Sequence, residues 1–177
     1  MNLFFLDIDP KKCAEYHCDK HVVKMIIEIV QMLYCAHHAV KSKLPSDCYK
    51  QTHLNHPICV WIRKNVQNYT YSAQVALELA KEYTYRYSKI HSSQKHVEWL
   101  IINIPKFENV DYSKKVILST NITFLKNGMT PVPLAMPEDS MLNDTVKSYR
   151  NYYLKKKFAR WTSRPVPDWF CFINVFN

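Results

Sequence analysis

Four polar side chains interrupt an otherwise apolar run in the segment DKHVVKMIIEIVQMLY (19–34): His21, Lys24, Glu28 and Gln31. They recur at i, i+3, i+7 and i+10, which puts them on one stripe of an α-helix. A carboxylate, a histidine and a lysine on one stripe are equipped for acid–base or electrostatic chemistry. Flanking Ile and Met would desolvate Glu28 and raise its pKa, while Lys24 would lower it. The same spacing suits a thin solvated strip with a Lys24–Glu28 pair, so the stripe faces either an internal polar pocket or solvent. His17 and His21, four apart, have a spacing that can bind a metal, but no clear third ligand accompanies them and no metal site is assigned.

Two further polar sets offer substrate contacts. In EYTYRYSKIH, Glu82, Arg86 and Lys89 share a face and Tyr83, Tyr85 and Tyr87 interleave. In THLNHPICVWIRKNVQNY, His53, Asn55, Arg63 and Asn68 can hydrogen-bond a ligand, and the planar five-donor fork of Arg63 suits a phosphate. Loop capping is the alternative role of His53 and His56, and a surface pair that of Glu82 and Arg86.

Positive charge is local. Residues 145–164 carry Lys147, Arg150, Lys155, Lys156, Lys157, Arg160 and Arg164 and no acid, against a net charge of +9 for all 177 residues. Tyr149, Tyr152, Tyr153, Phe158 and Trp161 interleave with them. Cations neutralise phosphates, and aromatics stack on exposed bases. This segment is read as a nucleic-acid contact, with Arg150 and Tyr153 reaching toward the substrate. A basic solvated face with its aromatics in the core is the alternative.

The elements that must position these groups are helices. There is one glycine, Gly128, where average usage of about 7% would give roughly a dozen. That excludes a Gly-rich phosphate loop, a dinucleotide-binding fingerprint and a run of tight hairpins. Lys outnumbers Arg 19 to 5, a bias that fits an AT-rich coding sequence of viral, phage or parasite type. The chain is read as all-α, one compact helical domain over 1–177 with a central buried helix and room for one short strand pair. Residues 3–8 form an apolar strand or extended segment. Asp9-Pro10 caps a helix to about Cys18. The central helix runs from Asp19 to about Val40. Residues 42–55 form a loop, and a helix follows from Asn55-His56-Pro57 to about Ser88, with a break near 68–72. Ser92 and Ser93 cap another, ending at Pro105. Residues 106–141 are irregular, with a strand or arm at 116–125. Asn143 or Asp144 caps a last helix to about Trp161, and 162–177 packs on the body. The six cysteines lack a C-x-x-C pair and are read as reduced thiols. No apolar run approaches membrane-spanning length and the opening has no signal-peptide pattern, so an intracellular location is expected.

Asp19-Lys20-His21, followed seven residues after the histidine by Glu28 in a long N-terminal helix, resembles the T4-type pyrimidine-dimer DNA glycosylase/AP lyase family. The basic, aromatic C-terminal region is also similar to it. The resemblance implies a small all-helical enzyme without metal or other cofactor. It implies that an N-terminal α-amine, here that of Met1, attacks C1′ of a damaged nucleotide and forms a Schiff base. It makes Glu28 the group that stabilises the sugar cation and assists elimination. His21, Lys24 and Arg63 are read as orienting substrate, with residues 147–164 on the backbone. An α-amine, with a pKa near about 8, is neutral often enough at pH 7 to attack. Asn2, Ile27 and Gln31 stand where the family has the exposed Thr and two Arg. Two other readings remain: an enzyme on free nucleotides or modified nucleosides, and a non-catalytic nucleic-acid-binding protein using residues 147–164.

Overall fold

In a computed structural model, which describes residues 1–107 and 128–171, the chain is built from helices. They are α1 (Pro10–Tyr16), α2 (Asp19–Ala39), α3 (Pro57–Ile62), α4 (Val66–Tyr87), α5 (Gln94–Ile102), α6 (Thr145–Leu154) and α7 (Asp168–Cys171), with one 3-10 turn at Glu138–Ser140. The strand or arm expected at 116–125 lies outside the described residues, as do 172–177.

Most boundaries follow from local chemistry. Asp9 caps α1 by accepting from Lys11 N–H, with Pro10 at the first helical position. His56 caps α3 and Asn65 caps α4 in the same way. The break between α3 and α4 therefore falls at Arg63–Asn65, earlier than the expected 68–72. Asp144 caps α6, but α6 stops at Leu154 rather than reaching Trp161. From Lys155 the chain bends back, and the Arg160 carbonyl accepts from Asp19 N–H at the start of α2 (2.8 Å).

α2 is the central helix. Ile26, Ile29, Val30, Met32, Leu33 and Tyr34 are fully buried, packed mainly by α3, α4 and α5. Burial of every residue from Met32 to His37 explains the apolar second half of the helix, whereas Val23 and Ile27 on its first half are exposed.

Residues 3–6 are also buried, yet among the described residues they pair with no strand. Side chains satisfy this extended backbone instead. Cys13 Sγ reaches the Phe4 carbonyl (3.2 Å) and Arg150 Nε the Leu6 carbonyl (2.8 Å). The Tyr71 hydroxyl donates to the Asp7 carbonyl (2.9 Å). The start of the chain is thereby threaded through the core and delivered to the side of α2.

Gly128 sits at φ +77°, and a Cβ there would lie 3.1 Å from Gln67 Cγ. Lys41, His53 and Ser88 also take left-handed backbone, with φ near 50°. No helix among the described residues is long and apolar enough to cross a membrane.

Candidate functional site

The α2 stripe divides along its length. At about 100° per residue, His21 and Glu28 point within about 20° of each other, and Lys24 and Gln31 lie about 40–80° round the helix from them. His21 and Glu28 are accordingly 7% and 8% exposed, while Lys24 is exposed and Gln31 half-buried. The inner edge of the stripe borders a cavity of about 310 Å³. Met1, Asn2 and Phe4 close one side, and Tyr152, Lys156 and Phe158 another, with Lys20, Lys24 and Met25 completing it.

Glu28 is the centre of this cavity. The Met1 α-amine lies 3.7 Å from its Oε2, and the Asn2 backbone N–H donates to the same oxygen (2.8 Å). Lys24 Nζ is 3.1 Å from Oε1. Asn2 is held by its side chain, which donates to the Ala135 carbonyl (3.0 Å). Met1 is backed by Cys59, whose Sγ is 3.9 Å from its Sδ.

His21 is stacked on Phe4 (ring centroids 4.7 Å, 15° between planes) and meets Phe158 edge-on at 5.3 Å. Burial, then the neighbouring His17, Lys156, Lys24 and Lys20, push its pKa down to about 3. It is a neutral imidazole at pH 7. Lys20 Nζ sits 4.7 Å from the Phe158 ring centroid and Lys156 Nζ 3.8 Å from that of Tyr152. Rings hold both ammonium groups without neutralising them. With Lys24 and the α-amine, four cationic groups line the cavity that holds the Glu28 carboxylate.

Lys20, Asn2, Phe4, Met25, Tyr152 and Phe158 were not singled out for this site from sequence. Lys20 is next to His21, and Tyr152 and Phe158 belong to the aromatic series of the basic segment. Asn2 and Phe4 gave no signal, because their place depends on the buried course of residues 1–6.

Other sequence candidates do not line this cavity. The Arg86 side chain is fully buried. It donates to Glu82 Oε1 (2.7 Å), Asp19 Oδ1 (3.0 Å) and the carbonyls of His17 (2.9 Å) and Glu15 (3.0 Å). Arg164 grips Glu82 with two bonds (2.9 and 2.8 Å) and lies over Tyr85. Burial pushes the Glu82 carboxyl up, but the bonds from Arg164 and Arg86 outweigh it and hold its pKa below the usual value. These three residues join α1, α2 and α4 to the chain after α6.

Arg63 donates to the Leu54 carbonyl (2.7 Å) and holds the loop before α3. Exposed His53 and Asn55 belong to that loop, with the His53 ring bonded to the Thr52 hydroxyl. Asn68 is wholly buried, bonded to the Trp61 carbonyl and to Thr130 (2.8, 2.8 and 3.0 Å). Arg150 binds Leu6 and Asp7 and lies over Tyr16 and Trp169.

The basic segment is likewise divided. Lys155 pairs with Asp139 (2.8 Å), and Arg160 bonds the Ala159 and Lys157 carbonyls. Trp161 is buried, donating to the Tyr16 carbonyl (3.2 Å). Lys147 and Lys157 are exposed. Tyr153 lies behind His21. His17 Nδ1 is bonded to the Cys13 carbonyl (2.7 Å), with its ring centroid 6.5 Å from that of His21. Among the described residues no group of three or more His, Cys, Asp or Glu is placed to hold a metal ion.

The chain matches no known family model, no curated protein and no solved structure.

Proposed function

We propose that the chain is an intracellular DNA glycosylase/AP lyase that uses the Met1 α-amine as nucleophile and Glu28 as its acid–base partner. The observation that carries this reading is the amine 3.7 Å from the carboxylate, inside a cavity ringed by Lys20, Lys24 and Lys156.

The chemistry needs a neutral amine beside a group that can take and return protons. The amine lone pair attacks C1′ of the damaged nucleotide. The N-glycosidic bond breaks and the base leaves with its electron pair, taking a proton from solvent. The attached amine loses a proton to Glu28, which passes it to the ring oxygen as the sugar opens to the iminium. Glu28, a carboxylate again, then removes a C2′ proton, and the C3′–O bond breaks with the phosphate as leaving group. The lysines supply electrostatic attraction for the flanking phosphates, and Tyr152 and Phe158 offer faces for an unstacked base.

The test is borohydride trapping on duplex DNA carrying an abasic site. A covalent adduct mapping to residue 1 is expected. Glu28→Gln should lower turnover by about 100-fold or more. An absent adduct, or unchanged turnover in Glu28→Gln, refutes the proposal.

The excess of cations over carboxylates at the cavity also suits binding without chemistry. That reading requires salt-steep DNA binding that survives Glu28→Gln, with no adduct formed by the wild type.

A further inference from the structure

We infer that Tyr153 is a positioning residue that locks His21 with its ring proton on Nε2, so that His21 gives the cavity a fixed hydrogen-bond donor rather than a general base. The inference rests on reading this cavity as the DNA site, and the donor's target is a sugar or phosphate oxygen of the bound nucleotide.

The argument starts at the first turn of α2. Cys18, its N-cap residue, makes no side-chain cap. Its backbone N–H instead donates to the Tyr153 hydroxyl oxygen (2.8 Å). That hydroxyl is 2.8 Å from His21 Nδ1 as well. A phenol has one proton to give, and Tyr153 is fully buried. If Nδ1 carried the ring proton, two N–H donors would converge on the oxygen and the phenol proton would be left with the Cys18 sulfur, a weak acceptor. A buried donor given only a weak acceptor is disfavoured. The phenol therefore donates to Nδ1, and the neutral ring keeps its proton on Nε2. Burial holds the Tyr153 hydroxyl well above its ordinary pKa, so it stays a donor.

The surroundings keep the ring neutral. Facing it are His17 from the end of α1, Lys20 and Lys24 from α2, Tyr153 from α6 and Lys156 just beyond it. Glu28 and the Met1 amine line the same cavity. Cations outnumber the one carboxylate. Phe4 beneath the ring and Phe158 at its edge restrict rotation. A fixed neutral donor costs no reorganisation when negative charge grows on an oxygen in the cavity.

Long-range ¹H–¹⁵N correlation NMR on the full chain, without DNA, reads the ring directly. The expected result is a protonated Nε2, a bare Nδ1 and no titration of His21 between about pH 5 and about pH 8. A proton on Nδ1, or titration near an ordinary histidine value of about 6.5, overturns the inference. Tyr153→Phe should mix the two tautomers; a ring unchanged in that variant also overturns it. Should Tyr153→Phe not fold, the wild-type spectrum decides alone.

The functional arm compares single-turnover cleavage of abasic DNA. His21→Gln, which keeps an N–H donor, should retain activity within about 10-fold, and His21→Ala should lose about 100-fold or more. Equal losses in both refute the donor role. Failure of the glycosylase/lyase reading would appear separately, as a wild type that forms no adduct, and would leave the NMR result standing.

Discussion

Replacing Arg86 by methionine separates a structural arginine from a substrate ligand. Methionine keeps much of the apolar stem and removes every donor. Four bonds are lost: to Glu82 Oε1 at 2.7 Å, to Asp19 Oδ1 at 3.0 Å, and to the carbonyls of His17 and Glu15 at 2.9 and 3.0 Å. The side chain is 0% exposed, so water cannot replace it without opening the packing. Glu82 is not stripped bare, because Arg164 still holds both its oxygens. Asp19 likewise keeps Thr162, whose N–H and hydroxyl both reach Oδ2 at 3.0 Å. The sum of four isolated bonds is therefore too large. Breaking one partner out of a buried pair, about 3–5 kcal/mol, is the better measure. For a chain of this size that is a fall in Tm of roughly 6–20 °C. The assay is urea and thermal unfolding followed by circular dichroism, alongside DNA binding below the midpoint. A loss under about 1 kcal/mol with a large drop in DNA affinity would refute the structural assignment.

Three further outcomes follow from the same contacts. Burial is the largest cause lowering the pKa of His17 and His37 to about 4 and of His21 to about 3. The unfolded chain then binds more protons below about pH 6.5, so stability present above that pH is lost as pH falls toward 4. Urea midpoints measured across this window should drop steeply, and His17→Gln should flatten the curve; a flat wild-type profile would contradict these burials. Lys20→Ala and Lys156→Ala should each reduce the slope of log affinity against log salt for duplex DNA by roughly 0.7–0.9, while Lys155→Ala, already paired with Asp139, leaves it nearly unchanged. Ser88→Gly should stabilise the fold by up to about 1 kcal/mol in the same unfolding assay, because Ser88 ends α4 in left-handed backbone at φ 51°.

Helix positions were legible where the signal is local. Asp9-Pro10 and Asp144 each place a cap, and the apolar run of α2 announces a central helix. Ends set by distant partners were not. The α3–α4 break lies at 63–65 because Asn65 caps α4, and buried Asn68 is tied to Thr130, which is 62 residues away. The segment after Leu154 leaves the helix although its sequence stays rich in helix-favouring lysine. Its reward is tertiary: Trp161 buries against α1 and Arg164 reaches Glu82. Residues 3–6 read as strand or extended by composition, and side chains from three separate helices decide between the two.

The candidate site was half legible for a related reason. Periodicity groups His21, Lys24, Glu28 and Gln31, but the division into a buried pair and an outer pair turns on an angle of about 40–80°, which needs the neighbours of α2 to be known. Cations were harder still. Nothing in the sequence separates Arg86, Arg150 and Arg164 from Lys20 and Lys156. The difference lies in what each meets across the fold. The three arginines meet carboxylates, which neutralise them and make them struts even where Arg150 and Arg164 also lie over rings. The two lysines meet aromatic rings, which orient an ammonium and leave its charge available. A phosphate approaching the Glu28 cavity would therefore find its attraction in Lys20 and Lys156 more than in Lys24, which Glu28 pairs, although the basic segment is where the sequence concentrates charge.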